Sequence, residues 1–438
     1  MVFLFGIYTD IGISVGGPSL FPMVSALPGF FLLLPIFGKK YFAPTYFFTA
    51  LFPLLPLALA LLGPSAPGAT EKRLIAAGQL EYSLVLGMMM FWLVTSLSRE
   101  RVAAILRFAL PIYIALLVIE ILTPLQSLMQ EYLNICGQGG INYSVINRDI
   151  AIAGGYRPRF LTSETSYVAM CFTFMVGCYV WASSAATKTV TALFYTLIGT
   201  LVIRSPIVLS GLLFLTTDYS SQFIISARTR RAALWFIPTI LLVGSVAIII
   251  FIQAAAPYIN ARWEGIATGG DYSATYRTYG SLAAGIAVAN RYPSFGLGIG
   301  TYYLALETIE SVYISYGVPL TAIISDARGS LNNALAASLI LFGYLGTAVM
   351  LTASGWALRK LTGRMQPQFI AMVLVLCAVD GAIYSPKFVV YLMLFAGINK
   401  VVERTLHKYK SVRDPPGIVR KSIFSPRARQ RSLDRQAR

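Results

Sequence analysis

Long apolar stretches recur along most of this chain, and they constrain its fold more than any other feature. Crossing about 30 Å of hydrocarbon takes roughly 20 apolar residues in a helix. The sequence therefore predicts an all-α polytopic membrane protein with about twelve transmembrane helices. These lie near residues 2–16, 20–37, 43–63, 78–98, 103–125, 162–183, 188–203, 206–225, 232–253, 331–357, 368–384 and 387–401. A composition of 56% hydrophobic and 12% charged residues excludes an ordinary soluble enzyme and a disordered chain.

The net charge of +17 is spread unevenly over the connections and the C-terminal part of the chain. Basic residues that share one side of the predicted layout are Lys39, Lys40, Arg99, Arg101, Arg228, Arg230, Arg231, Arg359 and Lys360. The positive-inside rule makes that side cytoplasmic. The sequence thus predicts a membrane domain over 1–403 and a basic, disordered cytoplasmic tail over 404–438, which anionic membrane lipid attracts. No nucleic-acid partner is expected, because no nucleic-acid-binding fold accompanies the charge.

Histidine and cysteine usage narrows the chemistry. The single histidine, His407, lies in the tail, and the four cysteines form no C-x-x-C pair. This excludes His-based metal sites and Ser-His or Cys-His nucleophile pairs within the membrane domain, so neither a metal nor another cofactor is expected. Cys171 and Cys178 share one face of a predicted helix, and packing is the expected role for them rather than a disulfide.

Two long segments, 126–161 and 254–330, fall on the opposite, external side and are expected to contain short helices. They carry arginines that the positive-inside rule disfavours at this side, and charge kept against that bias favours a functional role. These arginines are Arg148, Arg157, Arg159, Arg262, Arg277, Arg291 and Arg328.

The first candidate motif runs from Arg157 to Ser166, directly before an apolar helix. A proline between Arg157 and Arg159 keeps the approach extended, and a following hydroxyl side chain caps the helix. Glu164 then falls in the first turn, where the helix dipole favours a carboxylate. Two interpretations stay open: interfacial arginines with a capping carboxylate, or an anion-binding arginine pair beside a carboxylate base.

Further arginines stand in two other segments. Arg204 ends a short apolar helix and precedes Pro206, so it is either a snorkelling arginine in a tight turn or a functional charge at the membrane's external edge. Asp271 and Ser273 are alternative caps of another predicted helix, with Arg277 one turn beyond Ser273.

For two segments closer to the C-terminus, the sequence favours a structural role over ligand binding. The run Gly296-x-Gly298-x-Gly300 departs from the dinucleotide-binding fingerprint and predicts a tight turn instead. Asn332 and Asn333 precede a long apolar helix, and capping of that helix is favoured over ligand binding. Tyrosines surround the glycine run, which suits a membrane interface belt or a groove for sugar rings.

Guanidinium groups from separate segments match phosphate oxygens, so the implied substrate is a phosphate or pyrophosphate, and the aromatic surroundings favour a lipid-linked sugar. Over about 157–346, five short motifs follow one another in an order that resembles the O-antigen polymerase and ligase superfamily. They are Arg-x-Arg-Phe-x-x-Ser-Glu-x-Ser, an arginine at a helix end, Asp-x-Ser-x-x-x-Arg, Pro-x-x-Gly-x-Gly-x-Gly, and Asn-Asn before Gly-x-x-Gly. Ligases of that superfamily carry a histidine near the segment occupied here by Ser330 to Asn333, and this chain has none there. The resemblance therefore favours the polymerase branch, for O-antigen or exopolysaccharide.

The resemblance implies a metal-independent glycosyltransferase at the outer face of the bacterial inner membrane, acting on undecaprenyl-pyrophosphate-linked glycan, with a chain-length regulator as a candidate partner. The expected pyrophosphate ligands are Arg157, Arg159, Arg204 and Arg277, with Glu164 as the catalytic base and Asp271 as the reserve candidate. Direct displacement inverts the anomeric centre. Three alternatives remain: an O-antigen ligase, a non-catalytic assembly partner, and a flippase or secondary transporter that uses the in-membrane acids Asp10, Glu120 and Asp380.

Overall fold

A computed structural model describes residues 1–12, 22–41, 52–125, 127–129, 131, 156–162, 165–225, 279–318 and 333–413. Throughout these ranges the chain forms helices and no β-strand, which confirms the all-α prediction for this part of it. Four of the helices are long and apolar enough to cross a membrane, and shorter apolar helices accompany them. These helices indicate a membrane protein, while the count of about twelve spans stays a prediction.

The helices are numbered here in chain order. They are α1 Val2–Thr9, α2 Leu27–Tyr41, α3 Leu54–Leu61, α4 Ala69–Thr95, α5 Arg99–Leu122, α6 Thr165–Ala182, α7 Lys188–Ile203, α8 Gly211–Ile225, α9 Tyr279–Arg291, α10 Leu306–Ser315, α11 Ala334–Thr362, α12 Pro367–Val379 and α13 Pro386–Arg413. Short 3₁₀ turns stand at Val24–Ala26, Pro206–Ser210 and Tyr302–Ala305. The four candidate spans are α4, α5, α6 and α11.

Agreement with the predicted helices is closest where an apolar run is continuous. The prediction 188–203 coincides with α7, and 162–183 differs from α6 by a few residues. The first helix is shorter than predicted, because α1 stops at Thr9 and Asp10 adopts a left-handed conformation with φ 50°. The predicted helix at 232–253 lies outside the described residues.

One predicted domain boundary and one predicted external segment can be compared with the helices. The last helix runs to Arg413 and so crosses the predicted boundary between membrane domain and tail at 403/404. Residues 414–438 lie outside the described part of the chain. The segment 254–330 contains α9 and α10, in line with the short helices expected in it.

The helix ends gather into two groups. At one end, Arg99 Nε donates to the carbonyl of Ala182 at 2.8 Å, and Arg404 Nη1 donates to that of Thr95 at 3.2 Å. The Arg364 amide joins the same group by donating to a Glu403 carboxylate oxygen at 2.7 Å. We call this group the basic end. Helices α5 and α7 begin at this end and run to the opposite group, which we call the far end.

The core is centred on α6, in which 89% of the residues are buried. It is packed by α5, α7, α8, α12 and α13, whereas α5 itself is largely exposed along its length. Helices α4 and α13 run parallel in close contact, with Gly87 against Val389 and Gly397 against Val94. Cys171 and Cys178 are free and buried in this core, as the packing interpretation expects.

Helix α11 is interrupted at Gly343, which has φ 63° and ψ −168°. The interruption frees backbone groups, and the segment 293–298 satisfies them: the Leu297 and Gly298 amides donate to the carbonyls of Ile340 and Leu341 at 3.0 and 2.7 Å. In return, the amide of Tyr344 donates to the Pro293 carbonyl at 2.8 Å. A non-helical point inside a membrane protein is tolerated where other backbone pairs with it in this way.

The glycine run forms the tight turn that the sequence predicts. Gly296, Gly298 and Gly300 all have positive φ, a region that L side chains rarely adopt. The buried guanidinium of Arg73 donates to the Leu297 carbonyl at 2.9 Å and to the Pro64 carbonyl at 2.7 Å. The turn is thereby fixed to both α11 and the start of α4.

Candidate functional site

The strongest polar constellation in the described residues surrounds Glu120, in the last turn of α5. Its carboxylate is fully buried and accepts three hydrogen bonds, from the Tyr156 hydroxyl at 2.6 Å, the Arg159 amide at 3.0 Å and the Phe160 amide at 2.8 Å. A buried carboxylate is costly unless hydrogen bonds replace its hydration, and three donors do so here. The consequence is a fixed backbone for the Arg-Pro-Arg-Phe segment.

Local geometry tightens this segment further. The Thr162 amide donates to the Arg159 carbonyl at 2.9 Å, and the intervening Phe160 and Leu161 have φ of 25° and 62°. From the other side, the Tyr8 hydroxyl on α1 donates to the Phe160 carbonyl at 2.8 Å. The segment 156–162 is therefore a turn held by side chains from α5 and α1.

Tyr156 contributes to the same arrangement as a neutral hydrogen-bond donor. Burial raises the pKa of its phenol, and the hydrogen bond to Glu120 with the negative charge of that carboxylate raises it further, against a smaller lowering by Arg159. A raised pKa keeps the proton on the phenol at neutral pH. Tyr156 therefore shields the carboxylate of Glu120 without adding a second negative charge.

Three of the predicted arginines lie at the far end. Arg159 is 4% exposed and Arg157 is partly buried, both within the turn that Glu120 holds. Arg204 ends α7 in a left-handed conformation with φ 52°, and its amide donates to the Thr200 carbonyl at 3.0 Å. Helices α6 and α7 are antiparallel neighbours joined by a short turn at the basic end, so Arg204 emerges beside the N-terminal end of α6.

The remaining site candidates fall elsewhere in the chain. Glu164, Asp271 and Arg277 lie outside the described residues, so their proximity to the other arginines stays a prediction. Asn333 caps α11, with its side-chain oxygen accepting from the Leu335 and Ala336 amides at 3.0 and 3.1 Å. That observation confirms the capping interpretation for Asn333.

A second polar group lies under the turn, and the sequence analysis missed its lysine. Lys387 Nζ is 3.1 Å from an Asp10 carboxylate oxygen and 4.1 Å from the centre of the Tyr167 ring. The Tyr167 hydroxyl donates to the Ile7 carbonyl at 3.0 Å, which ties α1 to α6. A lone lysine at the start of the apolar stretch 387–401 was the available signal for this pair.

The acids considered for transport are therefore engaged in contacts within the protein. Asp10 pairs with Lys387, Glu120 accepts three hydrogen bonds, and a carboxylate oxygen of Asp380 accepts from the Ala382 amide at 2.9 Å. A separate buried pair joins Lys188 to Asp218 at 2.7 Å between α7 and α8. Within the described ranges, no three His, Cys, Asp or Glu side chains form a group that could hold a metal ion.

Comparison of the chain with protein-family models, with curated proteins and with solved structures finds no match.

Proposed function

We propose that this protein is an integral-membrane glycosyltransferase that polymerises undecaprenyl-pyrophosphate-linked oligosaccharide repeat units, without a metal ion, at the outer face of a bacterial inner membrane. One observation carries the proposal. The buried carboxylate of Glu120 fixes the backbone on which Arg157 and Arg159 stand, at the end of the bundle where Arg204 also emerges. A fixed backbone restricts the positions that the two guanidinium groups can reach, so less conformational entropy is lost when they bind pyrophosphate.

The proposed orientation of the protein in the membrane follows from the positive charge of the basic end. Positive-inside bias assigns Arg99, Arg364 and Arg404 to the cytoplasm, which puts the far end at the external surface and the C-terminus inside. A lipid-linked substrate in the outer leaflet then presents its pyrophosphate at the level of the arginines. A chain-length regulator is the proposed protein partner.

The reaction is a direct displacement at the anomeric carbon. An acceptor sugar hydroxyl attacks that carbon, its proton passes to Glu164, and the bond to the pyrophosphate oxygen breaks with its electron pair on the leaving undecaprenyl pyrophosphate. Arg157, Arg159, Arg204 and Arg277 stabilise the negative charge that develops on the leaving group. The product has inverted anomeric configuration, and Asp271 is the reserve candidate for the base.

Glu120 acts in this scheme as a positioning residue. Its two oxygens accept hydrogen bonds from the turn, so it holds the arginines and takes no proton from the acceptor. This role also separates it from the coupling acid that a transporter would need.

The test compares arginines of the site with a matched arginine outside it. Arg157→Ala, Arg159→Lys and Arg204→Ala are each expected to slow polymerisation about a hundredfold, because each removes a guanidinium that stabilises the leaving group. Arg291→Ala is the control, since Arg291 is exposed on α9 and contacts Thr308. Glycan length is measured with purified protein in liposomes and by complementation of a polymerase-deficient strain.

Other outcomes contradict the proposal in different ways. Full-length glycan from both Arg277→Ala and Glu164→Ala would refute the site assignment. Transfer of preformed glycan to a lipid acceptor without chain growth would identify a ligase. Movement of lipid-linked glycan across liposomes with no new glycosidic bond would identify a flippase or transporter.

A further inference from the structure

Lys387 occupies an electrostatically unfavourable place. It is the second residue of α13, where the helix dipole favours anions and disfavours an ammonium group. The Ser385 side chain already caps this helix by accepting from the Phe388 amide at 3.2 Å. Lysine is therefore not needed to begin the helix, and its charge requires a separate reason.

The depth of Lys387 adds to this cost. The Ser83 hydroxyl donates to the Tyr384 carbonyl at 2.8 Å, and Gly87 contacts Val389, so α13 begins beside the middle of α4. With a rise of about 1.5 Å per residue, a level between Ser83 and Gly87 lies roughly 24 Å from Ala69 and roughly 15 Å from Thr95, the two ends of α4. A charge at such depth beside a candidate membrane span, here α4, is expensive, and charges of this kind usually serve function.

The lysine is nevertheless accessible. Its side chain is 27% exposed and that of Asp10 is 15% exposed, so the ion pair borders open space on one side. The ring of Tyr167 lies against the ammonium and attracts it through a cation–π contact. This contact would hold the ammonium in place when Asp10 moves away from it.

Helix α1 connects the pair to the arginine turn. Asp10 pairs with Lys387, and Tyr8 on the same helix donates to the Phe160 carbonyl within the turn that carries Arg157 and Arg159. Both groups therefore contact the same short segment of α1. Lys387 is therefore linked through α1 to the turn that carries Arg157 and Arg159.

We propose that Lys387 binds a phosphate group of the lipid-linked substrate, and that Asp10 is the internal counter-ion which this phosphate replaces. The inference rests on the proposed function and extends its site inward. A lysine ammonium is a compact point charge that binds phosphate, and the two linked phosphates of the substrate together carry about two negative charges where the displaced carboxylate carries one. Exchange needs only side-chain rotation of Asp10, while α1 stays packed through Gly6 against Ser25.

The experiment measures binding of undecaprenyl pyrophosphate to the purified full-length chain in neutral detergent. Lys387→Met is expected to weaken binding about ten- to hundredfold, the range for a hydrogen bond to a charged group. Asp10→Asn is expected to tighten binding, because the competing carboxylate is lost. Lys400→Met is the matched control, since Lys400 is 28% exposed and pairs with Glu403 at 3.9 Å near the basic end.

The outcomes separate this inference from the proposed function. If Lys387→Met binds like Lys400→Met, or if Asp10→Asn weakens binding, the role of Lys387 is refuted. If Arg157→Ala abolishes binding in the same series, the proposed function survives that refutation. Binding that all these variants leave unchanged refutes both proposals.

A competition arm identifies the source of the phosphate. Undecaprenyl phosphate should displace the labelled ligand from the wild-type protein, and Lys387→Met should weaken that displacement. Phosphatidylglycerol at the same mole fraction should displace little. Equal displacement by phosphatidylglycerol would identify an ordinary lipid headgroup as the occupant and overturn the assignment to the substrate.

Discussion

At the scale of single residues, two carboxylates perform the same task at opposite ends of the bundle. Glu120 accepts the backbone amides of Arg159 and Phe160 at the far end. Glu403 accepts the Arg364 amide at the basic end, 2.7 Å away. In each case an acid on a long helix accepts backbone amides from a turn about 39 residues away in the chain. Only one of the two turns, at the far end, carries candidate substrate ligands.

This parallel yields a test that separates stability from activity. Glu120→Gln should lower the free energy of unfolding by about 2 kcal/mol, because an amide has one acceptor oxygen where three donors converge. Glu403→Gln should also lower it. Polymerisation should fall steeply for Glu120→Gln and stay near wild type for Glu403→Gln. Thermal unfolding in detergent and glycan length are the measurements, and equal activity of the two variants would contradict a positioning role for Glu120.

Sequence reasoning reached the arginines of the site but not the residue that holds them. Arg157, Arg159 and Arg204 attract notice because charge is scarce in an apolar chain. Glu120 was interpreted as an isolated in-membrane acid, since its partners are mostly backbone amides 39 and 40 residues away. Every residue except proline has a backbone amide, so the sequence does not show which amides a carboxylate accepts. This contact can be identified only in the folded structure.

At the scale of elements, the interruption of α11 depends on Gly343. A Cβ atom there would lie 2.6 Å from the Tyr292 carbonyl oxygen and 2.7 Å from that of Pro293, at a φ of 63°. Gly343→Ala should therefore destabilise the protein by about 2 kcal/mol or more through backbone strain and overlap. Denaturant titration of the purified protein measures the change.

Another glycine in the same helix provides the control. Gly355 has no atom within 4 Å of the position that a Cβ would take. Gly355→Ala should leave stability unchanged or raise it by about 0.5–1 kcal/mol, because alanine favours helix. A Gly343→Ala protein as stable as Gly355→Ala would show that the interruption is not required.

Elements differ in how far the sequence reveals them. Helix α7 was predicted at its observed bounds because one apolar run and its flanking breakers are local signals. The turn at Gly296 was also predicted from its glycines. The interruption at Gly343 was not, since it exists only in combination with the segment 293–298, about fifty residues earlier in the chain.

At the scale of the whole molecule, the proposed orientation divides the positive charge between the two ends. In that orientation the basic end fits the positive-inside rule, and the arginines of the far end run against that rule. This contrast underlies both the proposed orientation and the proposed substrate, so the orientation needs a test of its own. Native Cys171 and Cys178 are buried, and two other cysteines are replaced by serine: Cys377, which is only partly buried, and Cys136, a predicted external thiol.

Single-cysteine variants then report on which side of the membrane each end of the helix bundle lies. Ser184 is exposed in the turn between α6 and α7 at the basic end. Ser311 is exposed on α10, close to the far end because Tyr303 donates to the Pro67 carbonyl just before α4. In intact cells, a membrane-impermeant maleimide should label Ser311→Cys and reach Ser184→Cys only after permeabilisation. The reverse pattern would put Arg157, Arg159 and Arg204 on the cytoplasmic side, where an outer-face polymerase could not use them.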